Sequence, residues 1–108
     1  MAALHQAEVP AMQYDPKDYP HPGAALMEEL KEIGLSQRAF AHFLGVKDDE
    51  IYDLCRGASD MTASLALKIS RALGGSPRKW LEMQMNYSLV NVPKEEYEGI
   101  RQLGSDPE

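Results

Sequence analysis

Several things are scarce in this chain, and each scarcity excludes something. There is one cysteine in 108 residues. One cysteine forms no internal disulfide and supplies no Cys-rich zinc site, so a reducing, cytoplasmic setting is expected. No apolar run approaches the roughly 18 residues of a membrane span, so no membrane segment is expected. The opening MAALHQAEVP has no basic region followed by an apolar stretch, and no secretory signal is expected. Aromatic residues make up only 7%, and β-branched residues are few. Histidine, cysteine and carboxylate side chains nowhere take ligand spacing, so no metal or other cofactor is expected. No Ser-His-Asp set, phosphate loop or pair of carboxylates suited to a cleft is legible, so the chain does not read as an enzyme.

Positive charge is also lacking. The net charge is −6, whereas an isolated nucleic-acid binder is usually basic, because Lys and Arg displace phosphate counterions. The deficit is uneven. Residues 1–22 carry −2 and residues 91–108 carry −3, while residues 23–90, with eight bases and nine acids, carry only −1. The ends supply most of the acidity, and the total says little about the middle.

What is present favours helices. Ala, Leu, Met, Glu and Lys dominate, and 44% apolar content in a chain of this length suits one small domain. Pro10, Pro16 and Pro20 break residues 1–20 into an extended or disordered arm. From residue 21 to residue 90 five helical patterns follow, each closed by a stop signal. Leu26, Met27, Leu30 and Ile33 line one helix face, and Gly34 ends that helix. Ser36 caps a second helix with Ala39, Phe40, Phe43 and Leu44 as its buried stripe, closed by Gly45. A third starts at Lys47 or Asp48 with Ile51, Leu54 and Cys55 inward, and Gly57 ends it. Thr62 caps a fourth, built on Leu65, Ala66, Ile69 and Leu73. Ser76 and Pro77 start a fifth, carrying Trp80, Met83, Gln84, Tyr87 and Leu89. Residues 91–108 form an acidic tail, in which 94–103 could make a short helix around Tyr97 and Ile100. The expected fold is all-α: five helices with extended or disordered termini.

Here the residues become familiar. SQRAFAHFLGVKDDEIYDLCRG, residues 36–57, resembles the helix-turn-helix of the Xre-type, phage-repressor-like family. The flanking His21-Pro22-Gly23, the stretch MTASLALKISRALGGSPRKW at 61–80 and the run WLEMQMNY at 80–87 look like its HigA antitoxin branch, also called VapI. That resemblance implies a dimeric repressor of its own operon that binds operator DNA and neutralises a small basic ribonuclease toxin. It also implies a two-fold contact through the last helix, at Met83, Tyr87 and Leu89. Three positions depart from the pattern: Ala24 where a Glu is usual, Met83 where a Leu is usual, and the recognition helix itself.

In such a fold the base-facing positions correspond to Asp48, Asp49, Tyr52 and Asp53, with Lys47 at the cap. Three of these four are carboxylates. A carboxylate can accept from cytosine N4, yet three of them near phosphates carry an electrostatic cost that salt screens only in part. A plainer account covers Asp48, Asp49 and Glu50: negative charge in a first turn complements the helix dipole. Asp53 lies beyond that turn. Gln37 and Arg38 begin the second helix, where backbone N–H groups can hold a phosphate, and Lys47 and Arg56 flank the third. Two readings stay open: an operator-binding antitoxin, or a helix-turn-helix turned protein-interaction module with weak or no DNA binding.

Overall fold

The structure is a computed structural model, and residues 15–104 are described. Five helices carry the fold: α1 Pro22–Ile33, α2 Gln37–Leu44, α3 Asp48–Cys55, α4 Ala63–Leu73 and α5 Pro77–Val90. Among the described residues there is no strand. The five-helix, all-α expectation is met. Residues 15–20 hold one 3-10 turn, Pro16–Asp18, and the expectations for residues 1–14 lie outside the described residues.

The starts and stops follow from local chemistry. Ser36 Oγ accepts from Ala39 N at 3.0 Å, Thr62 Oγ1 from Leu65 N at 3.1 Å and Ser76 Oγ from Arg78 N at 3.1 Å. Each satisfies an N–H that the helix leaves without a partner. The caps of α1 and α2 are Schellman motifs. Gly34 and Gly45 take the left-handed conformation, and the N–H groups of Leu35 and Val46 return to the carbonyls of Leu30 and Ala41. This geometry makes the bend between α2 and α3 tight.

The His21-Pro22-Gly23 triplet resolves into three separate jobs. His21 caps α1, its Nδ1 accepting from Gly23 N at 2.9 Å. Pro22 occupies the first helical turn, where the missing N–H costs nothing. Gly23 is buried, and a Cβ there would overlap the Leu54 carbonyl at the end of α3. The absent side chain lets the start of α1 lie directly on the backbone at the far end of α3, so the triplet positions α3. His21 also meets Tyr87 of α5 edge to face, with ring centroids 4.9 Å apart. Its Nε2, left with the proton when Nδ1 accepts, is buried without a hydrogen-bond partner among the described residues, and the Tyr87 ring is the aromatic neighbour of the imidazole.

One core joins all five helices. Leu26 of α1, Phe40 of α2, Ile51 and Leu54 of α3, Ile69 of α4 and Trp80 of α5 are all buried in it. Burying Ile51 and Leu54 is worth roughly 1.5–3 kcal/mol each, enough to hold an eight-residue helix that would not form alone. The buried Gln84 closes the back of the fold: its Oε1 accepts from Met61 N at 2.7 Å, and its Nε2 donates to Ser88 Oγ at 3.0 Å.

Some expected core positions turn outward. Phe43 is 74% and Ile33 57% exposed, and Ala39 is exposed as well. On α2 the core takes Phe40, Ala41 and Leu44, a stripe that leaves 39 and 43 on the flank. On α1 the pair Leu26 and Leu30 faces in, and Ile33 falls past the contact. Residues 94–103 do not form a helix; only the 3-10 turn Lys94–Glu96 appears.

The close approach of Gly23 can be tested. Gly23→Ala is expected to cost at least about 2 kcal/mol in urea unfolding, because backbone cannot step aside as a side chain can. Gly99→Ala, where the added methyl meets nothing, should stay within about 0.5 kcal/mol.

Candidate nucleic-acid interface

The helix-turn-helix is α2, the turn Gly45-Val46-Lys47 and α3. Ile51, Leu54 and Cys55 hold α3 to the core. At 3.6 residues per turn, the opposite side carries Asp49, Tyr52, Asp53 and Arg56, with Asp48 and Glu50 on the two flanks. Tyr52 is 56% exposed, so this is a solvent-facing surface about 12 Å long. The α3 N-terminus has no side-chain cap, since Lys47 stands at that position. The first turn holds three acids, Asp48, Asp49 and Glu50, as the dipole favours.

The carboxylates are not alike. Asp48 Oδ2 lies 3.4 Å from Nε of Arg38 on α2. Asp53 Oδ1 accepts from Arg56 Nε at 3.1 Å and lies 3.0 Å from its Nη2 as an ion pair. The Arg56 guanidinium also lies over the Tyr52 ring, 5.3 Å from its centroid, a cation–π contact. Asp49 and Glu50 make no ion pair or side-chain hydrogen bond among the described residues. These pairs are exposed and individually weak. Their consequence is a charge pattern: two of the four acids on α3 are neutralised by arginines of the same unit.

The expected phosphate holders are therefore partly engaged. Arg38 and Arg56 are occupied by carboxylates, Lys47 is exposed, and Gln37 is half-buried beside the cap of α2. On α5, Met83 packs against the core and Tyr87 packs on His21, both half-buried, while Leu89 is 53% exposed. Met85, not singled out from the sequence, is 51% exposed beside it. Two further features escaped the sequence reading. The role of Gly23 needed the α1–α3 packing, and the Arg38–Asp48 pair joins residues ten apart in sequence. The Asp53–Arg56 pair was open to view as an i, i+3 spacing. Among the described residues no three His, Cys, Asp or Glu side chains gather as a metal site, and no helix is long and apolar enough to cross a membrane.

This geometry defines a helix-turn-helix, and the chain belongs to that family: the family's model matches residues 26–80. It is a DNA-binding family and not one of enzymes. The chain is 32% identical over 77 residues, 71% of this chain and 82% of the other, to the uncharacterized HTH-type transcriptional regulator YddM of Escherichia coli K12. It is similar to the Pseudomonas aeruginosa antitoxin HigA solved with the higBA promoter, with TM-score 0.73 and 29% identity over 79% of this chain and 98% of that one. A HigA-family addiction module antidote protein from Coxiella burnetii gives TM-score 0.71 and 27% identity, covering 82% and 98%. The HigA-type, Xre-like resemblance drawn from residues 21–87 is the one these comparisons find.

Cys55 offers a check on the packing beneath the interface. It is 5% exposed, and burial pushes its thiol up to about 11, so at pH 8 only about one molecule in a thousand carries the reactive thiolate. Ellman's reagent at pH 8 should label the native protein far more slowly than the urea-unfolded chain. Equal rates would mean that α3 does not sit on the core as described.

Proposed function

We propose that the chain is an operator-binding antitoxin: a dimer that binds the promoter of its own operon through α2 and α3 and neutralises a small basic ribonuclease toxin. The observation that carries the DNA half is the internal neutralisation of α3. Arg38 and Arg56 cancel Asp48 and Asp53, so the helix brings two uncompensated acids to a duplex instead of four. Lys47, Gln37 and the N–H groups at the start of α2 supply phosphate contacts. The guanidinium N–H groups of Arg38 that do not face Asp48 add another. The similarity to HigA solved with promoter DNA supports DNA binding, and a helix-turn-helix sets its second helix in the major groove.

The outer face of α5 supports the dimer. Met85 and Leu89 are exposed there, with Val92 just beyond at 38%, while Met83 and Tyr87 lie on the opposite side of the helix, against the core and His21. An apolar strip of this kind suits a two-fold contact between copies. The toxin half draws on charge: Asp49, Glu50 and the −3 of residues 91–108 favour a basic partner. An interaction module without DNA binding rests on the same unpaired acids.

Binding to the duplex upstream of its own gene, measured across a salt series, separates these readings. Log affinity should fall linearly with log salt, with a slope of about −0.9 per phosphate contact. No specific binding at low salt leaves only the interaction module. Sedimentation should show the wild type as a dimer and Leu89→Glu as a monomer with weakened operator binding. A monomeric wild type would remove the dimer.

A further inference from the structure

Three carboxylates stand at base-facing positions of α3, and their surroundings separate them. Asp48 lies on the flank and is held by Arg38. Asp53 faces outward, but its Oδ1 is gripped by the Arg56 fork, which Tyr52 supports from below. Asp49 faces outward and is held by nothing among the described residues. It is the second residue of the helix, and the N-terminal residues of a recognition helix are those that meet base edges.

We infer that Asp49 sets the base preference of this protein by accepting a hydrogen bond from the N4 amino group of a cytosine in the major groove. The inference rests on the operator-binding reading above and adds which base is read and by which atom. An ionised carboxylate only accepts. In the major groove guanine offers N7 and O6 and thymine offers O4, all acceptors that repel it. Adenine and cytosine each offer an amino donor, but adenine sets the N7 lone pair beside it. Cytosine carries a C–H at the neighbouring ring position, so the cytosine itself sets no acceptor beside its donor. An acid on a DNA-reading helix thereby becomes a filter: it costs affinity on every sequence and recovers it only where a cytosine is placed. The arginine pairs make the filter single, because they withdraw Asp48 and Asp53 from the same role.

The test is selection of the full chain on a pool of duplexes randomised over about 20 base pairs, two half-sites one helical turn apart. The wild type should select a cytosine in each half-site over the other bases by about tenfold. Asp49→Asn should move that position to adenine, because an amide pairs with both N6 and N7. Asp49→Ala should flatten the preference, and Asp53→Asn should leave the cytosine in place. If the Asn and Ala variants of Asp49 bind all sequences more tightly with the selected bases unchanged, Asp49 only repels phosphates. The inference then falls while operator binding stands. If the wild type selects no sequence at all, the inference and the operator-binding reading fall together.

Discussion

Gly23 lies against the carbonyl of Leu54, and the placement of everything outside the core depends on that contact. It is backbone on backbone, so neither side can yield. It fixes the start of α1 to the end of α3, and α3 is the helix whose outer face is the proposed DNA-reading surface. His21 and Pro22 serve the same junction. One satisfies the first N–H of α1, and the other removes an N–H that would have lacked a partner. Tyr87 extends the junction to α5 through its ring contact with His21. Three consecutive residues thereby tie the reading helix to the helix whose far side suits a second copy. This is a physical account of why a helix-turn-helix needs a helix ahead of it and another behind it: eight residues on their own do not hold a helix.

The face so positioned is unusual in its sign. A duplex presents phosphates on both sides of the groove, and a recognition helix bearing four acids meets them at a disadvantage. Pairing inside the protein halves that disadvantage without removing any acid from the sequence. Arg38 reaches across from α2, and Arg56 turns back along α3 while resting on Tyr52. The arginines then have two uses: they quiet the acids in the free protein, and their remaining N–H groups stay available to phosphate oxygens. Affinity is lowered by such an arrangement relative to a basic helix, but discrimination rises, since each unpaired acid opposes every sequence that gives it no donor.

Most of the fold was legible from residues 21–90, because its signals are local. Ser36, Thr62 and Ser76 as caps, Gly34 and Gly45 as stops, and Pro77 at a first turn each act within a few residues. What was not legible depends on tertiary placement. The outward turn of Phe43 and Ile33 follows from which side of a short helix meets its neighbours, and periodicity alone allows either flank. The loss of a helix at 94–103 has a related cause. Tyr97 is half-buried while Ile100 and Leu103 are 76% and 95% exposed, so that stretch has no face to fold against. At the candidate interface, the residue types and positions could be read from the sequence, but their pairing was hidden. Asp48 and Arg38 are neighbours only because the bend at Gly45 brings α2 back over the start of α3.

The outward face of α2 and α3 is the surface proposed to meet DNA. Titrating the isotopically labelled protein with its promoter duplex, and following backbone amide shifts, tests this most directly. The largest shifts should fall within Gln37–Lys47 and Asp48–Arg56, with the Gly23–Leu54 junction unmoved. Shifts confined to other helices, or none at low salt, would contradict it.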